Sequence, residues 1–168
     1  GTGLHEVFVY PPDHSSGLDA LDDDGAEQFM AALKRRFVEH ARLPHIRYTQ
    51  AIVNHGREAG ASLAHPHGQL MGLPFVPGEV LDEERAFARF AGGCVLCTTL
   101  EAERATGERV VFENDEVMVL CPYWSGTPVE LLVIPTRHMQ HLQDTNDDVL
   151  ATIGSLTNNS SVYISDSL

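Results

Sequence analysis

Two distant stretches of this chain repeat one another, and this constrains the fold more than any other feature. Glu6-Val7-Phe8-Val9-Tyr10-Pro11-Pro12-Asp13-His14 aligns with Glu130-Leu131-Leu132-Val133-Ile134-Pro135-Thr136-Arg137-His138. In each, a glutamate opens a strand-like run, a proline closes it, and a histidine follows after two more residues. Leu18 and Leu142 come next at the same offset, followed by acidic residues and a helical pattern. A duplicated unit of this kind implies look-alike lobes. The surroundings of the two copies differ. The second is preceded by Cys94-Val95-Leu96-Cys97 and a hairpin pattern, the first by neither; the first is followed by a glycine-rich loop and His65-Pro66-His67, the second by neither. The chain therefore reads as the back of one lobe, residues 1–80, joined to the front of another, residues 81–157. An atypical serine-rich tail spans 158–168.

Periodicity fills in the elements. Residues 5–10 alternate as a strand that Pro11-Pro12 ends. Acids at 22–24 mark a helix start, and Phe29, Leu33, Phe37 and Ala41 form a stripe expected to face a sheet. Strands are expected at 46–53 and 64–73, and short helices at 83–90 and 98–105. A hairpin over 109–113 and 117–121 turns at Asn114-Asp115. The apolar run 129–134 reads as a buried strand, and 146–156 as a helix onset. The fold class is α+β.

With 168 residues and 43% hydrophobic content, the chain can bury a core as one compact domain or two small lobes. Its net charge of −13 argues against a nucleic-acid backbone or an anionic membrane as partner. It leaves room for a nucleotide, since a few local donors hold one phosphate. No apolar run approaches a membrane span and no secretory signal is evident, so a cytoplasmic chain is expected.

The chemistry concentrates in residues 54–69. A polar loop with Gly56 and Gly60 leads into His65-Pro66-His67-Gly68-Gln69. Histidines at i and i+2 of an extended segment point to one face. Pro66 fixes its own φ and pushes His65 into the extended region. Two oriented imidazoles beside a loop rich in backbone N–H groups suit attack on a phosphate ester. Cys94 and Cys97 have the spacing of a metal knuckle rather than of a disulfide framework. His14 and His138 are each either a metal ligand or a polar residue at a strand end. His5, His40, His45, His55 and His141 read as surface histidines, and Cys121 as a core residue.

The Asn-x-Gly…Gly-x-Ser…His-Pro-His-Gly-Gln pattern over residues 54–69 resembles the galactose-1-phosphate uridylyltransferase family, two-lobed members of the histidine-triad superfamily. The resemblance runs over roughly residues 3–157. It implies antiparallel sheets of histidine-triad type, covered by helices, and transfer of UMP from UDP-glucose to galactose 1-phosphate through a covalent uridylyl-histidine. It implies that His67 is the nucleophile and that Gln69 holds the phosphoryl oxygens. Asn54 and Ser62 would bind phosphate, with backbone donors from Gly56 and Gly60. His65 and His14 would ligate zinc. Trp124 falls in a family segment near the second lobe's sheet, where packing accounts for it equally well.

The family's first-lobe cysteine pair, which completes the zinc site, is expected to lie upstream of Gly1, and the second lobe's closing histidine segment beyond the chain. Three zinc sets remain open: Cys94, Cys97 and His138 with His65; the same three with water; or His14 with His65. Sheet edges left open by two partial lobes lead us to expect a homodimer. Within the superfamily the alternative activity is phosphorolysis or hydrolysis of ADP-sugars or dinucleoside polyphosphates. Outside enzymology the alternatives are a non-catalytic remnant and a zinc-dependent interaction module built on the knuckle.

Overall fold

The computed structural model describes residues 2–10, 13–14, 21–54, 59–61, 63–128, 130–157 and 164–165. These form an α+β protein with two antiparallel sheets. Strand β1 (Leu4–Val9) leads to helix α1 (Asp23–Ala41), then to β2 (Tyr48–Val53) and β3 (His67–Leu73). Helices α2 (Gly78–Arg89) and α3 (Val95–Thr106) connect to β4 (Val110–Glu113), β5 (Val117–Leu120) and β6 (Leu132–Pro135). A 3₁₀ turn (Leu142–Asp144), helix α4 (Asp147–Thr157) and a two-residue strand β7 (Ile164–Ser165) follow. The first sheet has the order β1-β3-β2-β7 and the second β4-β5-β6. Among the described residues, no helix is long and apolar enough to cross a membrane.

Helix α1 starts where Asp22 caps it: its Oδ1 accepts from the Gly25 backbone N–H at 2.8 Å, and Asp23 and Asp24 sit in the first turn near the positive dipole end. Its buried stripe is Ala26, Met30, Leu33, Phe37 and His40. This corrects the expected stripe in two places. Ala41 is exposed and Phe29 half-buried. Residues four apart drift about 40° round a helix at each step. A run of fours therefore leaves the core, whereas steps alternating between four and three stay on it. His40, expected at the surface, is fully buried.

The main core joins elements from both parts of the chain. Met30, Leu33 and Phe37 of α1 meet Ala51 of β2, Leu70 of β3, Val117 of β5, and Val149, Leu150 and Ile153 of α4. A second cluster holds Leu100, Met118, Leu120 and Ile134. The β4–β5 hairpin turns at Asn114, whose Oδ1 accepts from the backbone N–H groups of Glu116 and Val117 at 2.9 and 2.8 Å. The apolar run expected to be a wholly buried strand gives β6, in which only Ile134 is buried. Among the described residues β6 pairs with β5 alone, so it lies at a sheet edge. Cys121, expected in the core, is exposed because it lies one residue past β5, where Pro122 turns the chain away. Within the tail, Ile164 and Ser165 pair with Ala51 and Gln50 of β2. Its other residues lie outside those described, as do Pro11, Pro12 and Leu18.

Candidate active site

Strand β3 alternates between two faces. Leu70 points into the core, and a Cβ on Gly72 would touch the His40 ring of α1 at 3.0 Å. His67 and Gln69 therefore point to the opposite, outer face. Register places Val9 opposite His67, and places Val7 and Ile52 on either side of Gln69. Val7 and Val9 are 57% and 61% exposed, so the two polar residues stand on an open, largely apolar sheet face.

Gly68, between them, is fixed by close packing. A Cβ there would lie 2.2 Å from Cζ of Phe8 and 2.9 Å from the Ile52 carbonyl oxygen. Glycine lets the Phe8 ring lie against the β3 backbone, where it also packs at a tilt against Phe29 with ring centroids 5.4 Å apart.

The orientation of His67 comes from the main chain. Its Nδ1 donates to the His65 carbonyl oxygen at 2.9 Å, across Pro66. With the proton held on Nδ1, Nε2 carries the lone pair. Gln69 is also held: its Oε1 accepts from Nε2 of His5 at 2.9 Å. The sequence had suggested no role for His5.

The loop residues are described in part. Asn54 follows β2 directly and is half-buried. Gly60 has φ +84°, a left-handed conformation that glycine adopts without strain. Ser62 and residues 55–58, with Gly56 and His55 among them, lie outside the described residues.

The metal-type residues gather into two separate groups. Cys94, Cys97 and His138 present ligand atoms all within 4.8 Å of one another. Cys97 Sγ lies 3.4 Å from His138 Nδ1. Tetrahedral zinc with bonds of about 2.0–2.3 Å sets ligand atoms roughly 3.3–3.8 Å apart, so this donor set fits such an ion after small adjustments. Burial opposes ionisation of both thiols. The backbone N–H of Cys97, the Cys97 thiol and the Leu96 N–H nevertheless bring Cys94 below the ordinary thiol range. Burial and the neighbouring Cys94 push Cys97 up. The second group is His14 with His65, whose Nδ1 atoms lie 2.7 Å apart with the rings near perpendicular at 86°. Among the described residues His65 does not join the cysteine group, so the four-ligand set of Cys94, Cys97, His138 and His65 is not assembled within one chain. Each copy of the repeat thus delivers its histidine to a different group: His14 to another histidine, His138 to the cysteine pair.

Two residues behind the site escaped sequence reasoning. Glu6, on the inner face of β1, accepts from Arg36 Nε at 2.8 Å and also pairs with Arg36 Nη2. His40 Nε2 donates to Glu6 at 3.3 Å, and Nδ1 meets the Thr49 hydroxyl at 3.3 Å. The Arg36 hydrogen bond holds the Glu6 carboxyl below the usual glutamate range, with His40 adding to it and burial opposing. His40 was detectable as the next member of the stripe 26, 30, 33, 37. Trp124 is 56% exposed and so is not a packing residue.

Known proteins resemble this chain in sequence and in fold. Residues 1–77 match the family described as galactose-1-phosphate uridyl transferase, N-terminal domain. ADP-glucose phosphorylase of Arabidopsis thaliana is 32% identical over 159 residues, covering 93% of this chain and 44% of the relative. Galactose-1-phosphate uridylyltransferase of Thermotoga maritima is 31% identical over 143 residues, covering 83% and 44%. A solved uridylyltransferase structure superposes with a TM-score of 0.86 at 27% identity over 92% of this chain and 49% of that one. The Arabidopsis ADP-glucose phosphorylase with bound ADP-glucose superposes at 0.82 with 31% identity, over 94% and 50%. The chain thus spans less than half the length of these curated relatives. Its first 77 residues match that family's N-terminal domain, and in sequence and fold the chain is similar to galactose-1-phosphate uridylyltransferases and to an ADP-glucose phosphorylase.

Proposed function

We propose that this chain transfers a nucleotidyl group through a covalent intermediate on His67, in the specific form of UMP moving from UDP-glucose to galactose 1-phosphate. The observation that carries the reading is the Nδ1 hydrogen bond to the His65 carbonyl, which leaves Nε2 as a neutral nucleophile. The Nε2 lone pair attacks the α-phosphorus. A P–N bond forms, the P–O bond to the β-phosphate breaks, and glucose 1-phosphate leaves with the electron pair. A phosphate oxygen of the acceptor then attacks phosphorus, the P–N bond breaks, and Nε2 recovers its lone pair. Negative charge on the non-bridging oxygens calls for fixed donors. The Gln69 carboxamide, Asn54, Ser62 and the Gly60 backbone fill that role in this reading. The work divides between the back of one lobe, residues 1–80, and the front of another, residues 81–157.

Zinc is the metal we assign to Cys94, Cys97 and His138, with a fourth ligand from water or a second copy, and to His14 and His65 as a second, partial site. When bound, it would supply a rigid cross-link between the start of α3 and the segment after β6. The transfer steps belong to His67 and its neighbours. A homodimer fits the open edge of β1, which among the described residues pairs only with β3.

A second reading is favoured by the relative named ADP-glucose phosphorylase, which matches 93% of this chain. Here the same histidine takes AMP from ADP-glucose and phosphate is the acceptor. Intact-mass spectra after mixing the protein with UDP-glucose or ADP-glucose separate the two. A UMP adduct in the parent, absent in His67→Asn, supports the first reading, and an AMP adduct the second. No adduct from either, in folded protein, supports a non-catalytic remnant.

A further inference from the structure

We infer that His5 is a positioning residue that locks the Gln69 carboxamide with its N–H groups toward the transferred phosphoryl group; this rests on the nucleotidyl-transfer reading above. A glutamine side chain ends in an acceptor oxygen and a donor nitrogen of nearly equal size. The torsion that exchanges them is broad and roughly two-fold. Only one of the two settings suits a phosphoryl group, because its oxygens attract N–H and repel a carbonyl oxygen. A free Gln69 would sample both.

His5 removes that ambiguity. Its Nε2 lies 2.9 Å from Gln69 Oε1 and donates to it. While Nε2 carries that proton, reversing the amide would set an N–H against an N–H, so in this tautomer the oxygen stays on His5 and the two N–H donors face elsewhere on the open face.

The strand fold dictates this contact. Val7 lies opposite Gln69 and His5 opposite Met71. His5 is therefore the diagonal neighbour of Gln69 on the outer face, within reach of a long side chain. Its direction is set from behind. Glu6, the next residue, is held to Arg36 and His40 of α1 on the inner face. Strand alternation then sends His5 outward. The part-buried network under the sheet and the glutamine on top of it are thus joined through two adjacent residues of β1.

The test is a cycle on the rate of His67 adduct formation from UDP-glucose or ADP-glucose, whichever labels the parent. It compares His5→Phe, His5→Gln, Gln69→Ala and the double variant His5→Phe/Gln69→Ala. Loss of one hydrogen bond's orientation predicts that His5→Phe slows labelling roughly ten-fold while nucleotide-sugar affinity stays within about two-fold. His5→Gln, which offers a donor but can also present its own oxygen, should recover part of that loss. In the Gln69→Ala background, His5→Phe should cause no further slowing. Parent-like labelling by His5→Phe, losses that multiply in the double variant, or no recovery by His5→Gln would each overturn the inference. An NMR measurement stands apart from turnover. The Gln69 side-chain 1H–15N pair should shift in His5→Phe, and an unmoved pair overturns the contact. If the parent forms no adduct at all, the transfer reading falls, and that spectrum alone decides the role of His5.

Discussion

Substituting Gly68 by alanine tests how tightly the site is built into the sheet. The added Cβ would sit 2.2 Å from Phe8 Cζ. Carbon atoms in contact prefer about 3.5 Å or more, so the ring must retreat by about 1.3 Å, the difference between those distances. It has somewhere to go, because Phe8 lines a cavity of about 550 Å³ between β1 and α1. The Ile52 carbonyl, 2.9 Å from the same Cβ, does not, because it belongs to the β2–β3 ladder. Part of the clash is therefore relieved by a side chain and part must move backbone. The expected cost is that of overpacking, about 1–3 kcal/mol. For a chain of this size each kcal/mol lowers Tm by roughly 2–4 °C, so calorimetry should find Tm lower by roughly 2–12 °C. The shift of β3 carries His67 and Gln69 with it, and labelling of His67 should slow at least ten-fold, as misplacement of reacting groups does. Adding Phe8→Leu should restore part of the stability. A Gly68→Ala protein as stable and as reactive as the parent would refute the claim that this close approach sets the site.

Two further outcomes follow from the geometry. Metal analysis of the parent should give stoichiometric zinc, and Cys94→Ser should lose the ion held with Cys97 and His138; unchanged zinc in that variant would exclude every set that uses the knuckle. Glu6→Gln replaces a charge-assisted contact with a neutral one, a loss of about 1 kcal/mol at pH 7 by urea denaturation. Because the folded Glu6 carboxyl titrates below its unfolded value of about 4.3, its stabilisation is complete above that value and fades as pH falls through the folded one. The gap between parent and Glu6→Gln should therefore close in acid, and a gap that stays constant from pH 7 to pH 3 would count against the assignment.

Much of the fold could be read from residue order because the relevant periods are local. The alternation of β1, the acidic cap of α1, the Asn114 turn and the knuckle helix all appear close to where the pattern places them. The strand that carries His67 and Gln69 was legible for the same reason: it is expected at 64–73 and found at His67–Leu73. What escaped depends on register or on chain path beyond an element. Nothing near His5 says that β3 will lie beside it with Gln69 two rungs from Met71. The burial of His40 follows from which helical steps face the core. Cys121 misled because an apolar run predicts burial only as far as the strand continues. The pairing of His14 with His65, and of His138 with the cysteines, was open among three ligand sets because spacing gives candidates and only the fold distributes them.

The hydrogen bond from His67 to the His65 carbonyl also bears on how such a site persists over time. Every amino acid at position 65 brings the same carbonyl oxygen, so no exchange of side chain there can remove the acceptor. The imidazole side chain of His65 faces His14 and is not the group that accepts the proton from its neighbour two residues on. Descendants of this sequence can therefore exchange the side chains at 14 and 65 while the residue 67 imidazole keeps its tautomer, as long as the path through Pro66 is inherited.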